Sequence, residues 1–111
     1  MFAFEIPALR FSLPAGAAVE RHRLVAVNAN SAGIHATADT PVVGASMNKA
    51  AADQVLEIAD GLVIVEAGAA IAAGAAVYAG ADGKAAATGT AAIGVAVTAA
   101  SAAGELITVK I

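Results

Sequence analysis

The chain has 111 residues, a length that predicts one domain. Alanine fills 34 positions and glycine 11, so apolar burial gives only a thin core, and we expect part of the stability to come from an assembly. The net charge of −3, with six basic residues scattered along the chain, argues against a nucleic-acid partner, and the lack of cysteine excludes disulfides and thiolate metal sites.

The N-terminal segment, residues 1–14, is predicted to contain strands near 2–6 and 9–13. It holds Phe2, Phe4 and Phe11, three of the four aromatic residues in the chain. Because aromatic side chains contribute disproportionately to binding, one hypothesis is an arm that docks on a neighbouring subunit or another protein. The other is an ordinary strand whose phenylalanines fill the core. No basic region precedes the apolar residues, so we expect no secretory signal here.

From residue 15 onward the larger side chains alternate and glycine recurs, which favours strands although alanine alone favours helix. Turns are predicted at 30–33, 60–61 and 81–83, between strands near 23–28, 33–37, 41–47, 54–59, 61–66, 75–79, 84–88, 91–98 and 105–111. Residues 48–59 allow two interpretations, a helix capped by Asn48 or a loop followed by a strand, and the strand is favoured. The uncharged stretch 85–104 has too few strongly apolar residues for a membrane span, so no membrane partner is expected.

Three blocks recur in the same order, at offsets of 52, 50 and 51 residues. AGAAVERHRLVAV from residue 15 matches AGAAIAAGAAVYA from residue 67, TPVVGAS from 40 matches TAAIGVA from 90, and AAADQVLEI from 50 matches SAAGELITV from 101. The match of Gly44 to Gly94, each after a β-branched residue, is the hardest to attribute to chance. We predict a mainly β single domain, a small barrel or sandwich with an internal pseudo-twofold repeat, in which residues 15–58 and 67–111 form two similar halves after an N-terminal arm or strand at 1–14.

The sequence carries no catalytic motif. It has no nucleophile elbow, P-loop or dinucleotide fingerprint. His22 and His35 lack the spacing of metal ligands, so two surface or half-buried histidines are expected. The carboxylates that lie close in sequence are expected to be solvated: Asp53 with Glu57, and Asp60 with Glu66. We therefore predict no catalytic residue, no metal site and no cofactor, and a protein that is not an enzyme.

Five short motifs in the second half carry a family resemblance. They are Val-Glu-Ala-Gly at 65–68, Ala-Ile-Ala-Ala-Gly at 70–74, Asp-Gly-Lys-Ala at 82–85, Ile-Gly-Val-Ala at 93–96 and Ala-Ala-Gly-Glu at 102–105. Because these five motifs occur in this order, residues 61–111 resemble the C-terminal half of phage capsid cement (head decoration) proteins. Residues 15–61 resemble the family more loosely, through Pro-Val-Val-Gly at 41–44 and the stretch 50–58. These motifs are structural and identify no site.

The resemblance implies a protein that binds the outer surface of a matured phage or prophage head, at junctions between major capsid proteins. Its expected partners are the major capsid protein and further copies of itself, with a trimer favoured over a dimer by analogy. It would be made in the host cytoplasm and reside on the outside of the virion. The residues expected to contact the capsid or a neighbouring copy lie in the N-terminal segment: Phe2, Phe4, Arg10, Phe11 and Leu13.

Lys84 supports an alternative of another class. Biotinyl and lipoyl carrier domains are also small pseudo-twofold β-barrels that present one lysine on a hairpin, and Lys84 follows the predicted turn at 81–83. The turn here reads Asp-Gly-Lys-Ala instead of the carriers' Asp-Lys-Ala, and Met-Asn-Lys at 47–49 does not match their Met-Lys-Met. A carrier domain modified at Lys84 is therefore the alternative to a cement protein. A third hypothesis, a glycan-binding surface module, lacks an aromatic platform.

Overall fold

The computed structural model describes residues 3–111, and this part of the chain folds into nine strands and one three-residue 3-10 turn at Ala81–Gly83. The strands are β1 (Ile6–Pro14), β2 (Leu24–Val27), β3 (Gly33–His35), β4 (Gly44–Ser46), β5 (Val55–Glu66), β6 (Ala76–Ala79), β7 (Ala85–Ala86), β8 (Ala92–Ala96) and β9 (Leu106–Lys110). The predicted mainly β fold class is confirmed. Residues 48–54 form a loop ahead of β5 and not a helix.

All nine described strands belong to one antiparallel sheet, in the order β3-β2-β4-β5-β9-β8-β6-β7, with β1 paired to β5 outside this path. β5 is the twelve-residue central strand, and it pairs with β1, β4 and β9. The sheet curls so far that its two end strands, β3 and β7, come close together. Beside these strands the Gly83 N–H donates to the Ala36 carbonyl at 2.8 Å. This curl brings the first and second halves of the chain together.

Two of the three predicted turns are confirmed. The turn at 30–33 connects the hairpin of β2 and β3, and the turn at 81–83 connects β6 and β7. Asp82 and Gly83 have φ of 56° and 69°, the left-handed conformation that a tight hairpin turn requires.

The turn predicted at 60–61 is wrong, since β5 runs without interruption through Asp60 and Gly61. β1 is likewise one strand over residues 6–14 and not the two strands predicted near 2–6 and 9–13. Gly61 has φ +100°, and a Cβ there would lie 2.6 Å from the Ala8 nitrogen, at the point where the register of β1 against β5 shifts. The glycine therefore accommodates a bulge between two strands, a use of Asp-Gly that depends on a strand distant in sequence.

Backbone hydrogen bonds recur at positions that the sequence repeat makes equivalent. Val19 and Ala50 donate to each other's carbonyls at 2.8 and 2.9 Å, and Ile71 and Ala100 do so at 3.0 and 2.9 Å. Equivalent residues of β2 and β6 differ by 52 positions in sequence. The difference is 50 positions between β4 and β8, and 51 positions between the start of β5 and β9. The division into similar halves at 15–58 and 67–111 stays a prediction, which superposition of the two ranges in an experimental structure will test.

Two apolar clusters form the core of the described chain. The first core cluster is flanked by half-buried Phe11, Leu13 and Val43 and consists of Ala15, Val19, Val25, Ala50, Leu56 and Ile58. The second core cluster is larger and includes residues of both halves, among them Leu24, Ala26, Ala45, Ala59, Val63, Val65, Val77, Ala79, Ile107 and Val109. β5 contributes to both clusters, because its side chains alternate between the two faces of the sheet.

Gly94, the counterpart of Gly44, lies where a partner strand leaves no space for a side chain. A Cβ on Gly94 would overlap the carbonyl oxygen of Lys110. We therefore expect Gly94→Ala to lower the free energy of unfolding by about 1–3 kcal/mol, the usual effect of overpacking a close contact. Gly68→Ala is the control, because its nearest neighbour would be the Lys84 Cβ at 3.3 Å, and we expect a change below about 0.5 kcal/mol. Urea denaturation measures both, and equal stability of the two variants would contradict the prediction.

Candidate binding surface

Residues 3–5 lie across strands β5 and β9. The Phe4 N–H donates to Thr108 Oγ1 at 2.5 Å, and Thr108 Oγ1 donates to the Phe4 carbonyl at 2.7 Å. Glu5 Oε1 accepts from the Ile64 N–H at 3.1 Å. Because Thr108 is fully buried, these bonds fasten the backbone of the segment to the sheet while the Phe4 residue stays 37% exposed.

β1 continues from this segment and pairs with β5 over eight residue pairs. Phe11 and Leu13 are half-buried against the first core cluster. Arg10 forms an exposed ion pair with Glu57 at 3.1 Å, which contributes less than about 1 kcal/mol. The predicted contact residues thus form two groups. Phe4 and Arg10 are exposed, whereas Phe11 and Leu13 lie at the edge of the core. The fifth predicted residue, Phe2, lies outside the described residues.

Two further large hydrophobic residues are exposed along β1, and the sequence analysis missed both. Ile6 is 62% exposed and Leu9 is 57% exposed. Residue type alone does not reveal this exposure, because it depends on where β1 lies against β5. Within the described residues β1 pairs with β5 alone, so Phe4, Ile6, Leu9 and Arg10 follow a free strand edge. We call these four residues the N-terminal surface, and such an apolar edge is typical of an interaction site.

A charged cluster joins the two halves. Glu66, at the end of β5, lies 3.5 Å from Arg23 Nη2 and 3.3 Å from Lys84 Nζ. Arg23 Nη1 also donates to the Asp82 carbonyl at 3.0 Å. The Glu66 and Arg23 side chains are only 25% and 14% exposed, so their pairing is less screened than a surface ion pair. Lys84 is therefore held against the protein by an ion pair, a placement that does not favour the carrier interpretation.

A cavity of about 290 Å³ opens beside Lys84. In the first half the counterpart of Gly80 is Asn28, and a Cβ on Gly16 would lie 2.6 Å from Asn28 Nδ2. The Asn28 side chain thus occupies space in the first half that stays open in the second. The cavity is lined mostly by glycine and alanine: Gly68, Ala69, Gly80, Ala81, Asp82, Lys84, Ala85 and Ala86.

Both histidines, His22 and His35, are half-buried. His35 Nε2 accepts from the Glu20 N–H at 3.0 Å, which requires this nitrogen to be unprotonated. Burial and then the Arg23 cation lower the pKa of His35 below its ordinary value, and burial and then Arg21 do the same for the pKa of His22. Among residues 3–111 no group of three or more His, Cys, Asp or Glu side chains is placed to hold a metal ion.

Besides Glu5, two further carboxylates, Asp39 and Glu105, accept hydrogen bonds from backbone N–H groups. Asp39 Oδ1 accepts from the Thr90 N–H at 2.8 Å, a bond that lowers the pKa of Asp39 and links a loop of each half. Glu105 accepts from the hydroxyl and the N–H of Ser101, and these bonds lower the pKa of Glu105. Both carboxylates stabilise loops by accepting hydrogen bonds from backbone groups.

A family model of phage cement proteins matches residues 5–111. The chain belongs to the phage cement protein family. This cement protein is also similar to a solved structure, the head fiber gp8.5 N base in bacteriophage phi29, with a TM-score of 0.78 and 23% sequence identity over 93% of this chain and 92% of that chain. The second likeness shows the shared fold. No curated protein matches the chain.

The family match confirms the resemblance that the motifs at 65–105 indicated and extends it through the looser first half. Within residues 3–111, the cement protein has no helix long and apolar enough to cross a membrane.

Phe11 and Phe4 should differ in what they contribute to stability. Truncation of a fully buried phenylalanine to alanine lowers the free energy of unfolding by about 3–5 kcal/mol. Because Phe11 is only half-buried, we expect Phe11→Ala to lower it by roughly 1–3 kcal/mol. We expect Phe4→Ala to cost less than about 1 kcal/mol, because its bonds to Thr108 use the backbone. Urea denaturation of the two variants measures this difference, and a larger loss for Phe4→Ala would show that the N-terminal segment is packed differently.

The stability of the protein should depend on histidine protonation. Because the folded-state pKa of both His22 and His35 lies below the ordinary value of 6.5, the unfolded chain binds more protons as the pH falls through that value. The free energy of unfolding should therefore be highest above pH 6.5 and decrease on acidification below it. Denaturation between about pH 8 and pH 5 measures the loss. His35→Gln removes one titrating group and should reduce the loss, so an unchanged pH dependence in this variant would contradict the assignment.

Proposed function

We propose that this cement protein attaches to the outer surface of a tailed-phage or prophage head and stabilises contacts between major capsid proteins. The observation that carries the proposal is the family match over residues 5–111. The shared fold with the base of a phage head fiber supports the same location on the particle. The role requires a rigid body with a binding surface, and it needs no catalytic group or cofactor.

The N-terminal surface is the proposed capsid contact. Phe4, Ile6 and Leu9 present large apolar side chains from a backbone that hydrogen bonds already hold in place. A preorganised surface loses little conformational entropy on binding, so more of its contact energy becomes affinity. Arg10 adds a guanidinium that can pair with a capsid carboxylate, and Phe2 precedes these residues in sequence.

The proposed active form is a homo-oligomer, with a trimer favoured over a dimer. Closed cyclic symmetry gives each copy an equivalent footprint on a symmetric junction of the shell, and a threefold or quasi-threefold junction joins three capsid neighbours. Several copies held together convert modest contacts into tight attachment. The alanine-rich core supports this proposal, since contacts between copies add apolar burial that one copy lacks. Phe11 and Leu13, at the edge of the core, are assigned to contacts between copies.

Co-sedimentation with purified heads that lack the protein tests the capsid contact. We expect the wild-type chain to sediment with the heads and the double variant Phe4→Glu/Leu9→Glu to bind about tenfold more weakly or worse, because two charges replace apolar contacts. The matched control is Ala102→Glu/Ala103→Glu, which adds the same charge on an exposed loop and should bind as wild type. Wild-type occupancy by the Phe4/Leu9 variant would exclude the N-terminal surface, and failure of the wild-type chain to bind would contradict the function itself.

A further inference from the structure

The contact between the two halves of the chain is asymmetric. Leu24 of β2 pairs with Ala45 of β4, which pairs with Ala59 of β5, so the three side chains share one face of the sheet. All three are fully buried in the second core cluster, together with Val77 and Val109 of the second half. We call these three residues the buried row.

The equivalent row of the second half is exposed. Ala76 pairs with Val95, which pairs with Lys110, in the same register as the buried row. Val95 is 46% exposed, and Ala76 and Lys110 are also exposed. We call these residues the outer row. The same structural position is thus a core contact in one half and a free surface in the other.

The surface that receives the buried row also has an open counterpart. It is lined by residues that are at most 3% exposed, Val63, Val65 and Ala79. The equivalent residues, 52 positions earlier in sequence, are less buried. Phe11 and Leu13 are half-buried, and Val27 is 43% exposed. We call these three residues the open edge of the first core cluster. Val27 belongs to it because it shares a face of β2 with buried Val25.

An isologous contact would bury both rows, because each half would then present the same patch to the other. Only one row is buried, so the contact between the halves is heterologous, and it leaves one row and one receiving edge unpaired in each chain. We propose that further copies of this chain cover both, with the outer row of each copy docked on the open edge of the next. Contacts between copies then repeat the contact between halves, and a cyclic ring closes the series.

The chemistry of the two surfaces fits this contact. Both are apolar apart from Lys110, whose four-carbon stem can lie along an apolar surface while the ammonium stays in water. The inference rests on the homo-oligomer of the proposed function and adds the surfaces that join its copies.

Cross-linking between single-cysteine variants tests the proposal, and the natural lack of cysteine leaves no competing thiol. Val27→Cys and Val95→Cys place one thiol on the open edge and one on the outer row, and both positions are exposed enough to retain the fold. Purified variants are treated with a short bis-maleimide, alone and as an equal mixture, without capsids. Ala102→Cys, on an exposed loop, is the control for random collision.

We expect the mixture to give a cross-linked dimer that contains one chain of each variant, at several times the yield of either variant alone. A product from Val95→Cys alone that equals the mixture would show an isologous contact and overturn the proposal. A mixture that gives no more product than Ala102→Cys would also overturn it. Because no capsid is present, either failure leaves the capsid-binding proposal to its own test.

Discussion

The packing of Leu24, Ala45 and Ala59 against the other residues of the second core cluster is the contact on which the rest of the structure depends. It joins the two halves into one curled sheet and completes the larger core. Two of the three side chains are alanine, and the neighbouring Gly44 would place a Cβ 2.5 Å from the Ala59 carbonyl oxygen. Small residues therefore serve here to bring backbones close together, which explains how so alanine-rich a chain can form a core.

The same contact determines where charge and exposed apolar area are found. Where the halves meet, Arg23, Glu66 and Lys84 form an ion-pair cluster that has no charged counterpart in the equivalent positions Ala75, Pro14 and Ala32. Far from the junction, apolar side chains remain exposed along β1 and β8. These are the surfaces that we propose for attachment to a shell and to neighbouring copies.

Local sequence signals predicted most of the strands because alternation and glycine spacing act over a few residues. They predicted the hairpin turns at 30–33 and 81–83 for the same reason. They failed at Gly61, because the decision between a turn and a bulge depends on β1, about 50 residues away, and on the space beside Ala8. The positions of Phe11 and Leu9 also depend on that pairing, so the sequence left core strand and docking arm as alternatives.

We propose that this cement protein lies on the outside of a phage head as a symmetric oligomer. Icosahedral reconstructions of heads with and without the protein test it most directly. We predict additional density outside the shell at threefold or quasi-threefold junctions, fitted by three copies whose N-terminal surfaces face the capsid. Density inside the shell, or isolated single copies on its surface, would contradict the account.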